Sequence, residues 1–128
     1  MHGMTIVQAN NQLIAAQNRR TSLESDAETL RQCRNQIRII KMTIETRTST
    51  FRQASRRESA DWRGQSGTKY SENRSQVTTN TSLYLTEIDT TVDRINQEIT
   101  NINNQITTVN GTIRNLRQFI ESERVRVM

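Results

Sequence analysis

Ten apolar residues in the second half of the chain recur without a break at alternating spacings of four and three. They are Ile88, Val92, Ile95, Ile99, Ile102, Ile106, Val109, Ile113, Leu116 and Ile120. A repeat of 3.5 residues sustained over more than four heptads puts them all on one stripe of a helix that must press against another helix. Val77, Thr81 and Leu85 continue the stripe backwards, and Val127 continues it forwards. Most seam residues are β-branched and are separated by Asn, Gln and Thr, all indifferent helix formers. Such a helix is held by packing more than by its own propensity. Gly111 lies inside it, at a cost of about 1 kcal/mol relative to Ala.

The first half supplies the partner helix. Ala9, Leu13, Ala16, Leu23, Ala27, Leu30, Cys33, Ile37, Ile40, Ile44, Phe51 and Ala54 lie along one stripe, with the small residues near the start allowing close approach. The steps from Leu30 through Cys33 to Ile37 break strict alternation and predict a local overwinding. There is no Pro and only four Gly, so little interrupts a helix outside the region of Gly64 and Gly67. The expected fold is all-α: a single-domain, antiparallel two-helix hairpin forming a long coiled-coil-like rod. Its helices span about residues 4–60 and 68–125, with a turn at about 61–67. Helices of this length extend roughly 75–87 Å at about 1.5 Å per residue. Ser66 or Thr68 would cap the second helix, with Glu72 in support. The alternative, one continuous coiled coil with a hinge, fits the glycine pair less well. An apolar fraction of 32% suits two packed helices, which bury one stripe each.

Tyr84, Ile39, Met42 and Val125 fall outside the stripes, which predicts association with further chains. The net charge of +5 concentrates between Arg31 and Arg57, where Glu45 is the sole acid. Arg31, Arg34, Arg38 and Lys41 share one face beside the stripe, and three readings are open for it. It is a solvated face, a surface for an acidic protein partner, or a track for nucleic-acid phosphates. Aromatic interleaving is absent, which weighs against nucleic acid. Cys33 reads as a small apolar seam residue, and a lone Cys with His2 as the sole His offers no metal set. No catalytic constellation, cofactor-binding loop or pocket-forming architecture is evident, so no enzyme activity and no cofactor are expected. No apolar run reaches the roughly 18 residues of a membrane span. Met1 to Leu13 lacks the basic and apolar regions of a standard signal peptide.

Near the midpoint stands Trp62-Arg63-Gly64, containing the sole Trp, and Tyr70 follows eight residues after it. Gly permits a left-handed helix end, and the indole is placed to close the end of the seam. A turn plug of this kind is also what any helical hairpin needs. With Trp62, Gly64 and Tyr70 in a hairpin of this length, the chain resembles the WXG-type helical hairpins of type VII secretion. It is most similar to the YwqH-like and Lap (LXG-associated α-helical protein) accessory families. That resemblance implies a protein that pairs with the helical LXG domain of a secreted antibacterial toxin, with or without a second small helical accessory protein. It implies a cytoplasmic protein before export, leaving if at all through the type VII machinery, with Trp62 and Gly64 at the recognition end. Related systems carry an aromatic-x-x-x-acid export signal, and Phe119-Ile-Glu-Ser-Glu123 offers one with Glu in place of the usual Asp. The other reading makes Phe119 a seam-flanking residue and Glu123 a solvent-facing acid. A self-associating coiled-coil scaffold and a basic nucleic-acid-binding hairpin are the alternative functions.

Overall fold

A computed structural model describes residues 3–59 and 64–127, with side chains for 3–54 and 67–127. The chain is an all-α helical hairpin of α1 (Ile6–Ser59) and α2 (Gly64–Val127). A reciprocal cap starts α1: Thr5 N–H donates to Gln8 Oε1 at 2.9 Å, and Gln8 N–H donates to Thr5 Oγ1 at 3.1 Å. This Thr-x-x-Gln box satisfies backbone donors that the first turn cannot pair internally. Arg124 and Arg126 occupy the last turn of α2, where cations complement the helix dipole. Threonines are accommodated in both helices by hydroxyls that donate back to carbonyls four residues earlier, as Thr48 does to Ile44 at 2.7 Å and Thr90 to Thr86 at 3.1 Å.

Gly64 opens α2, so the turn expected at 61–67 ends earlier, and Ser66 and Thr68 are helical residues rather than caps. Gly adopts helical backbone angles at a cost of about 1 kcal/mol relative to Ala, and the glycine pair lies within α2 instead of ending a helix. Trp62 lies outside the described residues.

The chain divides into two compact units, one comprising Met1–Gln32 with Asn96–Met128 and the other Cys33–Ile95. In the first, Leu23 and Ala27 pack with Ile102, Val109 and Ile113, and Leu13, Ala16, Leu30 and Ile106 close around them. Ala9 packs with Leu116 and Ile120, flanked by Met4, Ile6 and Phe119. Positions rising along α1 meet positions falling along α2, so the helices run antiparallel. Arg19 donates to Gln105 Oε1 at 2.9 Å and Arg20 to Asn110 Oδ1 at 3.1 Å, both at the edges of this core.

The second unit is built differently. Ile88 is its one buried apolar residue among those described, whereas the first unit buries nine. The same heptad spacing continues here, but polar side chains occupy part of the seam. Leu30 is followed at steps of four and three by Arg34, Ile37, Lys41, Ile44 and Thr48, all half-buried. Cys33 is exposed, so it is not a seam residue as its apolar character predicts. Taking Arg34 in its place restores strict alternation and removes the need for overwinding. Ile40 and Phe51 are 51% and 36% exposed, and Ala54 is exposed, so these too stand outside the buried stripe. Lys41 bridges to α2, its Nζ lying 2.6 Å from Asp89 Oδ1 and 3.7 Å from Glu45 Oε1. Long cationic side chains cover apolar surface with their stems while keeping the charged head hydrated. They thereby fill seam positions that a count of apolar residues leaves blank.

Candidate interaction surface

The polar seam of the second unit leaves large hydrophobic side chains without cover. Ile39, Ile40, Met42, Phe51, Val77, Leu83 and Tyr84 are all exposed. Between the helices two hollows follow one another on the same face. One is lined by Ile37, Ile40, Tyr84 and Ile88, with Glu87 at its margin. The other is lined by Ile44, Phe51, Val77 and Thr81, with Arg47 at its margin. Ile40 and Arg47 are seven residues apart on α1, as are Val77 and Tyr84 on α2, so each pair stands on one side of its helix. A further apolar row, Ile39 and Met42 with Thr43 and Thr46, runs along the outer side of α1.

The four basic residues expected to form a single stripe part company. Arg34 and Lys41 are half-buried in the seam itself, not beside it. Arg31 is half-buried and pairs with Glu28 at 3.5 Å, while Arg38 is exposed. The hydrogen bond from Lys41 to Asp89 holds its pKa above the ordinary 10.5 against partial desolvation, helped by the charges of Asp89 and Glu45. A cation committed to an intramolecular carboxylate is a poor phosphate ligand, and the split leaves no continuous cationic track across these four positions.

The other positions singled out in the sequence are distributed along the hairpin. Gly64 is the first residue of α2, and Tyr70 is half-buried seven positions before exposed Val77. In the α2 seam, Ile88, Ile99, Ile102, Val109, Ile113, Leu116 and Ile120 are buried, and Val92, Ile95 and Ile106 are half-buried. Phe119 is half-buried against the Ala9, Leu116 and Ile120 cluster. Glu123 accepts from Arg126 at 2.7 Å and keeps only 23% of its side chain exposed. Both residues of the Phe-x-x-x-Glu pattern are thus engaged within the hairpin. Tyr84, Ile39, Met42 and Val125 are exposed, between 52% and 66%.

Among the described residues no group of three His, Cys, Asp or Glu side chains is placed to hold a metal, and no helix is long and apolar enough to cross a membrane. Apolar spacing assigned Ile37, Ile40, Ile44, Phe51, Val77, Thr81 and Ile88 to the packed stripes and did not show that part of them lines an open groove with Tyr84, Arg47 and Glu87. The signal was present in the sequence as a heptad change: Arg19 and Asp26 are followed at the same position by Cys33 and Ile40. Compared with models of known protein families, with characterised proteins and with solved structures, the chain matches none.

Proposed function

We propose that this chain is a helix-bundle partner subunit: a type VII secretion accessory protein that binds the helical LXG domain of a secreted antibacterial toxin and promotes its export. It acts by co-assembly and performs no catalysis. The observation that carries the reading is the contrast between the two units. A helical hairpin whose Cys33–Ile95 unit buries a single described apolar residue and exposes seven large ones has surface suited to further helices. The secretion assignment rests in addition on the resemblance carried by Trp62, Gly64 and Tyr70. The half-buried Phe119 and the paired Glu123 favour an export signal residing on the partner.

Co-expression with candidate LXG N-terminal domains, affinity capture and a light-scattering mass of the eluate test this directly. A stable heteromer is expected. Replacing Ile39 and Met42 together by Asp should reduce capture at least about tenfold, the equivalent of about 1.4 kcal/mol, with helicity retained. Failure of every candidate domain to co-purify with the wild-type chain would remove the secretion reading.

A further inference from the structure

The groove of the Cys33–Ile95 unit carries a charge pattern complementary to itself, and we propose that its occupant is a second copy of this chain. The two copies face each other across the Ile40–Tyr84 groove and are related by a twofold axis parallel to the helices. The inference does not rest on the secretion reading.

Three observations lead there. First, with the internal Lys41–Asp89 bridge set aside, the α1 segment of this unit, residues 33–54, holds Arg34, Arg38, Arg47 and Arg52 against Glu45 alone. With Asp89 likewise set aside, residues 67–95 of α2 hold Glu72, Glu87 and Asp93 against Lys69, Arg74 and Arg94. An axis parallel to the helices lays α1 of each copy over α2 of the other, a basic segment on a balanced one that presents Glu87 to it. An axis perpendicular to them within the interface lays α1 on α1 and sets like charges together.

Second, the two charges at the margins of the groove are exposed, and neither side chain forms an ion pair or hydrogen bond among the described residues. The Lys41–Asp89 bridge sets the level of one helix against the other. Counting from it, Arg47 stands four residues along the axis from the level of Glu87, an offset of about 6 Å. Parallel twofold symmetry carries Arg47 of each copy across to the α2 of the other at that same offset. Both side chains are long enough to span it, so the arrangement makes two Arg47–Glu87 pairs at once. Isologous interfaces have this self-complementary form, in which each contact occurs twice.

Third, the apolar part of the face matches what such a contact covers. Tyr84, at the level of α1 residue 46 by the same count, comes over Ile44 of the second copy, and the half-exposed Ile40, Phe51 and Val77 surround it. Four helices then enclose a seam that two leave open. The face ends where the hydrophobic residues end: in the other unit, the equivalent heptad position on α1 is occupied by Gln12, Arg19 and Asp26.

The test uses the full chain in reducing buffer, with its mass followed by sedimentation and light scattering over a concentration series. The wild type is expected at the mass of two chains. Arg47→Glu and Glu87→Arg should each raise the dimer Kd about tenfold, because each reversal converts two weak attractions to repulsions. The double variant, which restores opposite charges, should return to within about threefold of the wild type, roughly 0.65 kcal/mol. Tyr84→Asp should give single chains of unchanged helicity by circular dichroism. A wild type that stays at one-chain mass at every concentration overturns the proposal, even if a different helical partner then occupies the groove. A dimer indifferent to Tyr84→Asp, or a double variant no better than the single reversals, overturns it as well.

Discussion

Lys41 and Gly111 show how single side chains set the local terms of this hairpin. The Lys41 ammonium donates to Asp89 across the helices, and its pKa rises above 10.5. The folded chain therefore holds this proton more tightly than the unfolded chain does. The stabilisation is complete below about pH 10.5 and is lost as pH climbs through the higher folded value. Urea midpoints measured across that range should fall more steeply for the wild type than for Lys41→Met, and superimposable profiles would count against the bridge. At Gly111 an added Cβ meets only the end of the flexible Arg114 side chain, at an ordinary 3.8 Å. The backbone there is helical, so Gly111→Ala removes unfolded-state freedom without a clash. An increase in unfolding free energy of about 0.5–1 kcal/mol is expected from equilibrium denaturation.

The helices as elements differ in how they meet the heptad requirement. α2 meets it with Ile, Val and Leu, and Leu116 is 2% exposed. Truncating it opens a cavity where neighbours from both helices converge, so Leu116→Ala should cost about 2–5 kcal/mol in the same assay. α1 meets the requirement partly with Arg20, Arg34, Lys41 and Thr48, which together with Leu23, Ala27, Leu30, Ile37 and Ile44 keep the four-and-three spacing unbroken. Cys33 stands outside that alternation and is exposed. Cys33→Ser should therefore change stability by less than about 0.5 kcal/mol. Its thiol should react with a maleimide in the native protein at a rate close to that of an unfolded control, whereas strong protection would return it to the seam.

For the whole molecule, the distribution of buried surface sets where the fold opens. Local opening free energies follow buried apolar contacts. The unit formed by Met1–Gln32 with Asn96–Met128 holds both apolar clusters, while Cys33–Ile95 holds Ile88 and a seam interrupted by cations. Amide exchange in the isolated chain should consequently be slower at Leu23, Ala27, Ile102 and Ile113 than at Ile44, Thr48, Thr81 and Leu85. Uniform protection along both helices would contradict that distribution. Binding of a further helix on the second unit should slow exchange there first, since its apolar surface is what remains to be covered.

The hairpin was legible in the residues themselves. An unbroken 3.5-residue repeat of β-branched side chains admits only a helix packed on a helix, and a chain without Pro offers few places to reverse. From Leu85 to Ile120 the α2 seam follows from helical period alone, as does the shared face of Phe119 and Glu123, whereas Val77 and Val127, expected on the stripe, are 46% and 73% exposed. The rest depended on which neighbours each side chain meets. Apolar character alone ranks Cys33 above Arg34, yet the stripe passes through Arg34, because a guanidinium can reach water from a seam position. For the same reason the four-residue basic stripe dissolved once Lys41 found Asp89. The open groove is likewise a tertiary property: Ile40, Phe51, Val77 and Tyr84 have ordinary helical spacings, and only the packing of the two helices determines that they stay exposed among the described residues. Period and composition thus determined the elements, whereas the pairing of long side chains across the seam decided which surface stays apolar and open.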